Sequence, residues 1–334
     1  MKKMLALLLA LTLTLSAGLL YASAESDAGL KLGLDITVSL SNSRDAADTD
    51  GLAQIDATVV AVLADADGRI VNVFIDEAQT KLPFTATGKL GADFPTQPRT
   101  KLELGAGYGM SAVSKVGEWD HQIQGLRAYV LGKTAAEVQG IAVDAATRPT
   151  GADLTAGCTM SVGTYISGIV AALGKAVPTA AAATDTLGVG IVTGTDRSAE
   201  SQAGSDGLCE AYSYYAVVTV NAAGVVTDCL LDSTQGTVRF DATGRITTDL
   251  SAAVQTKQAI GEGYGMRAAS SIGKEWFEQA DAFAAYAVGK TADQLNGIAM
   301  DTAGKATDVD LVAGVTLPVG PFKASVLKAV ANAR

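Results

Sequence analysis

Apolar positions follow two different rhythms along each half of the chain. Ile55–Ala64 and Arg69–Asp76 are dense in Val, Ile and Leu, and Asp65-Ala66-Asp67-Gly68 between them reads as a hairpin turn. Tyr214–Val220 and Val225–Asp232 repeat that arrangement around Asn221-Ala222-Ala223-Gly224. A shorter strand is predicted before each hairpin, at Gly33–Leu40 and Gly188–Thr193, and another after it, at Leu82–Thr85 and Val238–Asp241. The period then changes. Trp276, Ala280, Phe283 and Ala287 recur at helical spacing between Glu275 and Val288, with Gly289 placed to end the helix. Thr291-Ala292-Asp293-Gln294 and Thr134-Ala135-Ala136-Glu137 fit capping boxes, in which a threonine and a residue three places on satisfy each other's backbone amides. Final helices are expected at Thr164–Leu173 and Phe322–Asn332. Strands first and helices afterwards predict an α+β fold, with an antiparallel sheet and packed helices in each half.

The halves are copies. Asp50-Gly51-Leu52 returns as Asp206-Gly207-Leu208, Gly107-Tyr108-Gly109-Met110 as Gly263-Tyr264-Gly265-Met266, and Trp119 as Trp276. A period this long indicates two tandem homologous domains rather than a solenoid of short repeats. The expected organisation is a signal segment at 1–24, copy 1 at 25–174, an Ala/Thr-rich linker with Pro178 at 175–186, and copy 2 at 187–334. Lys2-Lys3, an apolar run from Met4 to Leu20 and Ala22-Ser23-Ala24 give the three parts of a secretory signal. Export to the cell envelope or beyond follows, with no stable membrane span after cleavage. No cysteine precedes Cys158, which excludes a lipid anchor at the signal junction.

Charge narrows the partners. The net charge of −10 becomes −12 once Lys2 and Lys3 leave with the signal, which argues against nucleic acid. Cys158, Cys209 and Cys229 are odd in number and fit no metal spacing; in simple hairpin register Cys229 faces about residue 216 rather than Cys209. His121 is the single histidine and reads as a helix surface residue, so a histidine triad is not available. Trp119 and Trp276 read as core residues. Gly107–Met110 and its twin read as tight turns, because no lysine–serine/threonine pair follows as in a phosphate loop. Asp65-Ala66-Asp67-Gly68 lacks the spacing of a calcium loop.

One repeated phrase hints at chemistry. Asp153-Leu154-Thr155-Ala156-Gly157-Cys158-Thr159 returns as Asp310-Leu311-Val312-Ala313-Gly314-Val315-Thr316. The glycine permits an unusual backbone angle or a close approach, and the threonine precedes a predicted helix. Two readings follow: the threonine caps that helix, or a phosphate on its hydroxyl meets the helix's first amides.

The phrase resembles the Asp-x-x-Ser-Gly-Ala-Thr pattern of the FMN-binding domain family, exported proteins in which that threonine carries FMN through a phosphoester bond. Asp153, Gly157 and Thr159 match, as do Asp310, Gly314 and Thr316. Ala156 and Cys158, and Ala313 and Val315, stand where the pattern has serine and alanine. Ser161 supplies the polar residue that follows two places later, whereas Pro318 does not, which puts Thr159 ahead of Thr316 as acceptor. Both repeats resemble the tandem, Gram-positive surface-protein branch. The resemblance implies covalent FMN, an electron carrier rather than an enzyme with its own substrate, a flavin transferase for maturation, and membrane or surface redox partners. The alternative is a non-redox surface, binding or structural protein on the same fold, without flavin.

Overall fold

A computed structural model describes residues 29–334; the expected signal segment lies outside the described residues. Repeat 1 contributes β1 (Lys31–Ser39), β2 (Gly51–Ala64), β3 (Ile70–Phe84) and the short β4 (Val177–Pro178). Repeat 2 contributes β5 (Thr186–Gly194), β6 (Gly207–Val220) and β7 (Val226–Phe240). The helices of repeat 1 are α1 (Lys101–Leu104), α2 (Trp119–Val130), α3 (Ala135–Gln139), α4 (Ala152–Thr155) and α5 (Gly163–Lys175). Those of repeat 2 are α6 (Lys257–Ile260), α7 (Trp276–Ala287), α8 (Ala292–Asn296), α9 (Val309–Val312) and α10 (Gly320–Asn332). The sheets run β3-β2-β1-β4 and β5-β6-β7, and every pairing is antiparallel. The fold is α+β.

Alternation along the central strands builds three cores at once. Val60 and Val62 of β2 face α2 and α5, while Ala57, Val59 and Ala61 face the other sheet. In β6, Ala216 and Val218 face α7 and α10, while Tyr215 and Val217 meet the strands of repeat 1. Both faces are buried, which explains why these strands read as nearly continuous apolar runs. The result is four layers, helix–sheet–sheet–helix, related by a pseudo-two-fold axis. Equivalent rings Phe84 and Phe240 stack across it at 4.3 Å, and the backbone contacts are reciprocal: Ala46 N donates to Gly244 O at 2.9 Å and Ser201 N to Gly88 O at 2.7 Å. Each final helix lies directly on its sheet. A Cβ at Gly33 would sit 2.1 Å from Ala172 O, and one at Gly188 2.0 Å from Ala329 O.

Three sequence expectations are corrected here. The strands expected at Leu82–Thr85 and Val238–Asp241 are the continuous ends of β3 and β7, because the hairpin ladder runs unbroken to Gly51–Phe84 and Gly207–Phe240. Cys229 faces Val218, not residue 216: the turn, closed by Asn221 N to Val225 O, is centred on Ala223 and moves the pairing by one residue, and a bulge between Thr219 and Val220 moves it by another. The segment read as a linker is an ordered strap: Val177 and Pro178 pair with β1, and Ala181 is buried with Leu30 and Leu63. Asp65–Gly68 forms the expected turn, with Gly68 at φ 74° and Asp65 Oδ1 accepting from Arg69 N. Both expected threonine capping boxes form, and Thr100 with Glu103 and Glu275 with Glu278 add two more.

Candidate functional site

The two threonine phrases fold alike but not as helix caps. Helix α5 begins four residues beyond Thr159, with Val162 at its cap position and no side-chain cap bond; α10 begins four residues beyond Thr316, with Val319 there. Each threonine is held instead by a buried glutamine from the preceding long helix. Gln122 Oε1 accepts from Thr159 N (2.9 Å), Thr159 Oγ1 (3.3 Å) and Met160 N (3.1 Å). Gln279 Oε1 accepts from Thr316 N (2.9 Å), Thr316 Oγ1 (3.4 Å) and Leu317 N (3.3 Å). Gln122 Nε2 donates to Ser114 Oγ and Gly117 O, and Gln279 Nε2 to Ser270 Oγ and Lys274 O, so each glutamine ties the threonine to the loop before its own helix. That loop is fixed in turn by Glu118 and Glu275. Glu118 accepts from the Ser111 hydroxyl and from the amides of Ser111 and Met110, and Glu275, against the cost of burial, from the amides of Arg267 and Met266; these bonds hold both acids below their usual range.

The other residues of the phrase divide by role. Gly157 and Gly314 serve close approach: a Cβ on Gly125 of α2 would lie 2.5 Å from Gly157 O, and one on Gly314 would lie 2.9 Å from Ala282 Cβ of α7. Cys158 and Val315 turn inward and are buried, leaving the threonine side of the chain open. Thr159 is exposed and Thr316 half-buried. Asp153 and Asp310 are exposed on α4 and α9, and no hydrogen bond among the described residues joins them to their threonines. Ser161 bonds Thr147 across the neighbouring hairpin, Oγ to Oγ1 at 2.5 Å; the backbone of Pro318 bridges to Lys305 in the equivalent place.

Thr316 lines a cavity of about 280 Å³ together with Lys305, Gln279, Ser270, Met266 and Leu317. Lys305 corresponds to Arg148, so each phrase has a cation on the hairpin beside it. A hydroxyl flanked by serine hydroxyls and a lysine suits the phosphate end of FMN. The volume falls just short of the roughly 300–1,000 Å³ that encloses a drug-sized ligand, so an isoalloxazine attached there would lie largely over the surface. Trp119 and Trp276 are buried core residues, and His121 is exposed on α2. The three cysteines are free and buried; burial pushes the Cys158 thiol up to about 11, Cys209 to about 12 and Cys229 higher still.

A second repeated constellation escaped the sequence reading. In repeat 1, buried Lys101 Nζ lies 2.8 Å from Glu77 Oε1, Tyr165 OH donates to Glu77 Oε2 at 2.7 Å, and Trp119 Nε1 donates to Tyr165 OH at 2.9 Å. In repeat 2 the equivalents of Glu77 and Tyr165 are Ser233 and Phe322. Among the described residues Lys257 therefore has no carboxylate at ion-pair distance; Glu210 and Asp232 act on it only from further away. It donates to the hydroxyls of Tyr212 and Tyr264 (2.7 Å for the latter) and lies 4.4 Å from each ring and 5.2 Å from the Trp276 ring. The only available signal was the identity of the two lysines between helix-poor segments, which pattern alone does not distinguish from surface positions.

No family model matches the chain, and the comparisons with curated proteins and with solved structures likewise find no match. Among the described residues no helix is long and apolar enough to cross a membrane.

Proposed function

We propose that the chain is an exported flavoprotein of the cell envelope, carrying FMN as a phosphoester on Thr159 and on Thr316 and passing electrons between membrane or surface redox partners. The observation that carries this reading is the twice-built glutamine clamp. A helix cap would explain each threonine without further function, but neither threonine is a cap. Instead a buried side chain fixes the backbone at the hydroxyl, and the flanking Cys158 or Val315 is directed inward. The clamp fixes the threonine's backbone amide while engaging its hydroxyl only at 3.3–3.4 Å, so esterification gives up a weak contact.

When bound, FMN supplies the redox chemistry, and the protein supplies placement and electrostatics. At Thr316, Lys305 would offset the phosphate charge, Ser270 and Ser271 would offer hydroxyls beside it, and Met266 and Leu317 give the cavity its apolar wall. The cavity at Thr316 raises that site from the lower rank its sequence suggested. Maturation would require a flavin transferase.

Co-expression of the mature chain with a flavin transferase, followed by intact-mass measurement, tests the reading. Two FMN increments are expected, with one lost in Thr159→Ala and one in Thr316→Ala. An unmodified, colourless chain that also fails to bind free FMN rejects it. That outcome favours a non-redox binding protein, the reading supported by a larger cavity that shares no lining residue with that of Thr316.

A further inference from the structure

The pseudo-two-fold creates two equivalent grooves, where the first strand of one repeat overhangs the third strand of the other. One is filled. In the β5/β3 groove, Arg127 Nε donates to Val73 O at 2.5 Å and its guanidinium lies 4.7 Å from the Phe74 ring. Arg334 lies 5.0 Å from the same ring, and its backbone bonds Leu187 O and Asn72 Nδ2. The β1/β7 groove has the same frame with these fillers gone. Ala284 replaces Arg127, Leu230 replaces Phe74, and Val177 stands at the place of Arg334 on the neighbouring strand. What remains is a cavity of about 890 Å³, within the range that holds a drug-sized ligand.

Its chemistry has also changed. Asn72 and Gln124 of repeat 1 become Asp228 and Asp281 in the open groove, whose lining also includes Asp232, the counterpart of Asp76. The single lining cation, Lys175, is engaged by Asp35 at 2.6 Å. Burial raises the carboxyls of Asp232 and Asp281 even though both accept hydrogen bonds from Gln258 and Lys175 faces Asp232. Leu34, Ile36, Leu230 and Val288 supply an apolar floor. Thus the filled groove holds guanidinium groups laid against an apolar surface; the open groove keeps the surface, gains two carboxyls and has no guanidinium, its one cation being Lys175, paired with Asp35.

We infer that the groove between β1 and β7 binds an organic cation with an apolar body, an alkyl or aryl ammonium or guanidinium. The apolar body lies on the Leu34–Ile36–Leu230 floor, and the charged head meets Asp281 and Asp228, replacing the contacts that Arg127 supplies in the other groove. This site is independent of any flavin on the threonines.

Calorimetric titration of the mature chain with 4-phenylbutylamine, 4-phenylbutanol and 4-phenylbutyrate separates charge from shape. The amine is expected to bind at least about tenfold tighter than the alcohol, and the acid more weakly than either. Asp281→Asn should remove most of the preference for the amine while leaving alcohol binding unchanged. Ala284→Arg with Leu230→Phe, which copies the filled groove, should abolish binding of all three. The inference fails if the amine shows no binding up to ~1 mM, or if amine and alcohol bind within about twofold of one another. It also fails if the Asp281→Asn chain, confirmed as folded by its melting curve, keeps the full preference.

Discussion

Lys101 and Lys257 are the same residue of the repeat, buried beside the same tyrosine and tryptophan, yet they are supported by different physics. Lys101 is neutralised by Glu77 inside a hydrogen-bonded chain that reaches Trp119. Lys257 touches only hydroxyls and ring faces, with Glu210 and Asp232 acting at longer range and Arg197 opposing them. Burial depresses both ammonium groups, but the Glu77 carboxylate overrides it and raises Lys101, whereas Lys257 falls to about 7. Duplication has therefore left one copy with a closed ion pair and the other with an amine that changes charge near neutrality. An identical residue in an identical fold position does not imply an identical charge state.

The largest effect should come from breaking the closed pair. Glu77→Ala leaves Lys101 buried without its counter-ion and also strips Tyr165 of its acceptor. A loss of about 3–5 kcal/mol is expected in urea unfolding. Ser233→Ala, the matching change in repeat 2, should cost far less, and equal losses would show that the comparison is wrong.

The pH dependence should differ in sign. Above pH 7 the folded Lys257 is neutral while the unfolded lysine stays protonated to its ordinary 10.5, so the unfolded chain binds more protons and stability rises with pH across that window. The slope should approach ~1.4 kcal/mol per pH unit. Lys101 behaves oppositely: its contribution is intact below its ordinary 10.5 and is lost as pH rises through its higher folded value. Asp76, raised by burial to about 7, lowers stability as pH rises from 3.8 through about 7; its opposing slope fades over roughly the next unit, so the rise from Lys257 emerges toward pH 8. Unfolding measured between about pH 7 and 8.5 stays below the ordinary thiol value of 9.0. Lys257→Met should flatten the rise in that interval, and so should Ser233→Glu, which supplies the missing carboxylate. A wild-type chain with no rise would remove the neutral Lys257.

A smaller effect isolates the end of the chain of bonds. Tyr165→Phe copies Phe322 and removes the hydroxyl between Trp119 and Glu77 without opening a cavity. It should cost about 1.5 kcal/mol, as expected for a hydrogen bond to a charged group. Adding a hydroxyl with Phe322→Tyr buries a polar group beside Ser233 and should also destabilise, measured by the same unfolding curves.

These contrasts mark what was legible in the sequence. Capping boxes at Thr134 and Thr291 and the Asp65–Gly68 turn are local, because partner groups lie within four residues, and the strands followed from apolar runs. The glutamine clamps join residues 37 positions apart, Gln122 to Thr159 and Gln279 to Thr316, and depend on how a helix lies beside a loop. A signal was nevertheless present: a glutamine recurs at the same place of both helices, within an otherwise apolar face. Glu77, Lys101 and Tyr165 were harder still, since their meeting needs strand register, the position of α1 and the docking of α5 together. The shared core between the sheets left no motif, and an Ala/Thr-rich strap that pairs with β1 is compositionally indistinguishable from a linker.

The capping boxes provide the smallest prediction and the sharpest test of that shared core. In both, the threonine hydroxyl accepts an amide at 3.4 Å, while Glu137 or Gln294 accepts the threonine amide at 2.7 or 2.8 Å. Thr134→Ala and Thr291→Ala should each cost about 1 kcal/mol. If the repeats were independent domains, each variant would shift only its own unfolding transition. The sheets bury Val59, Phe74, Val189, Tyr215 and Val217 against one another, so neither repeat keeps its core when the other opens. A single calorimetric transition is therefore expected, lowered to the same extent by either variant. Two transitions, each responding to one threonine, would show that the sheet–sheet contact contributes little.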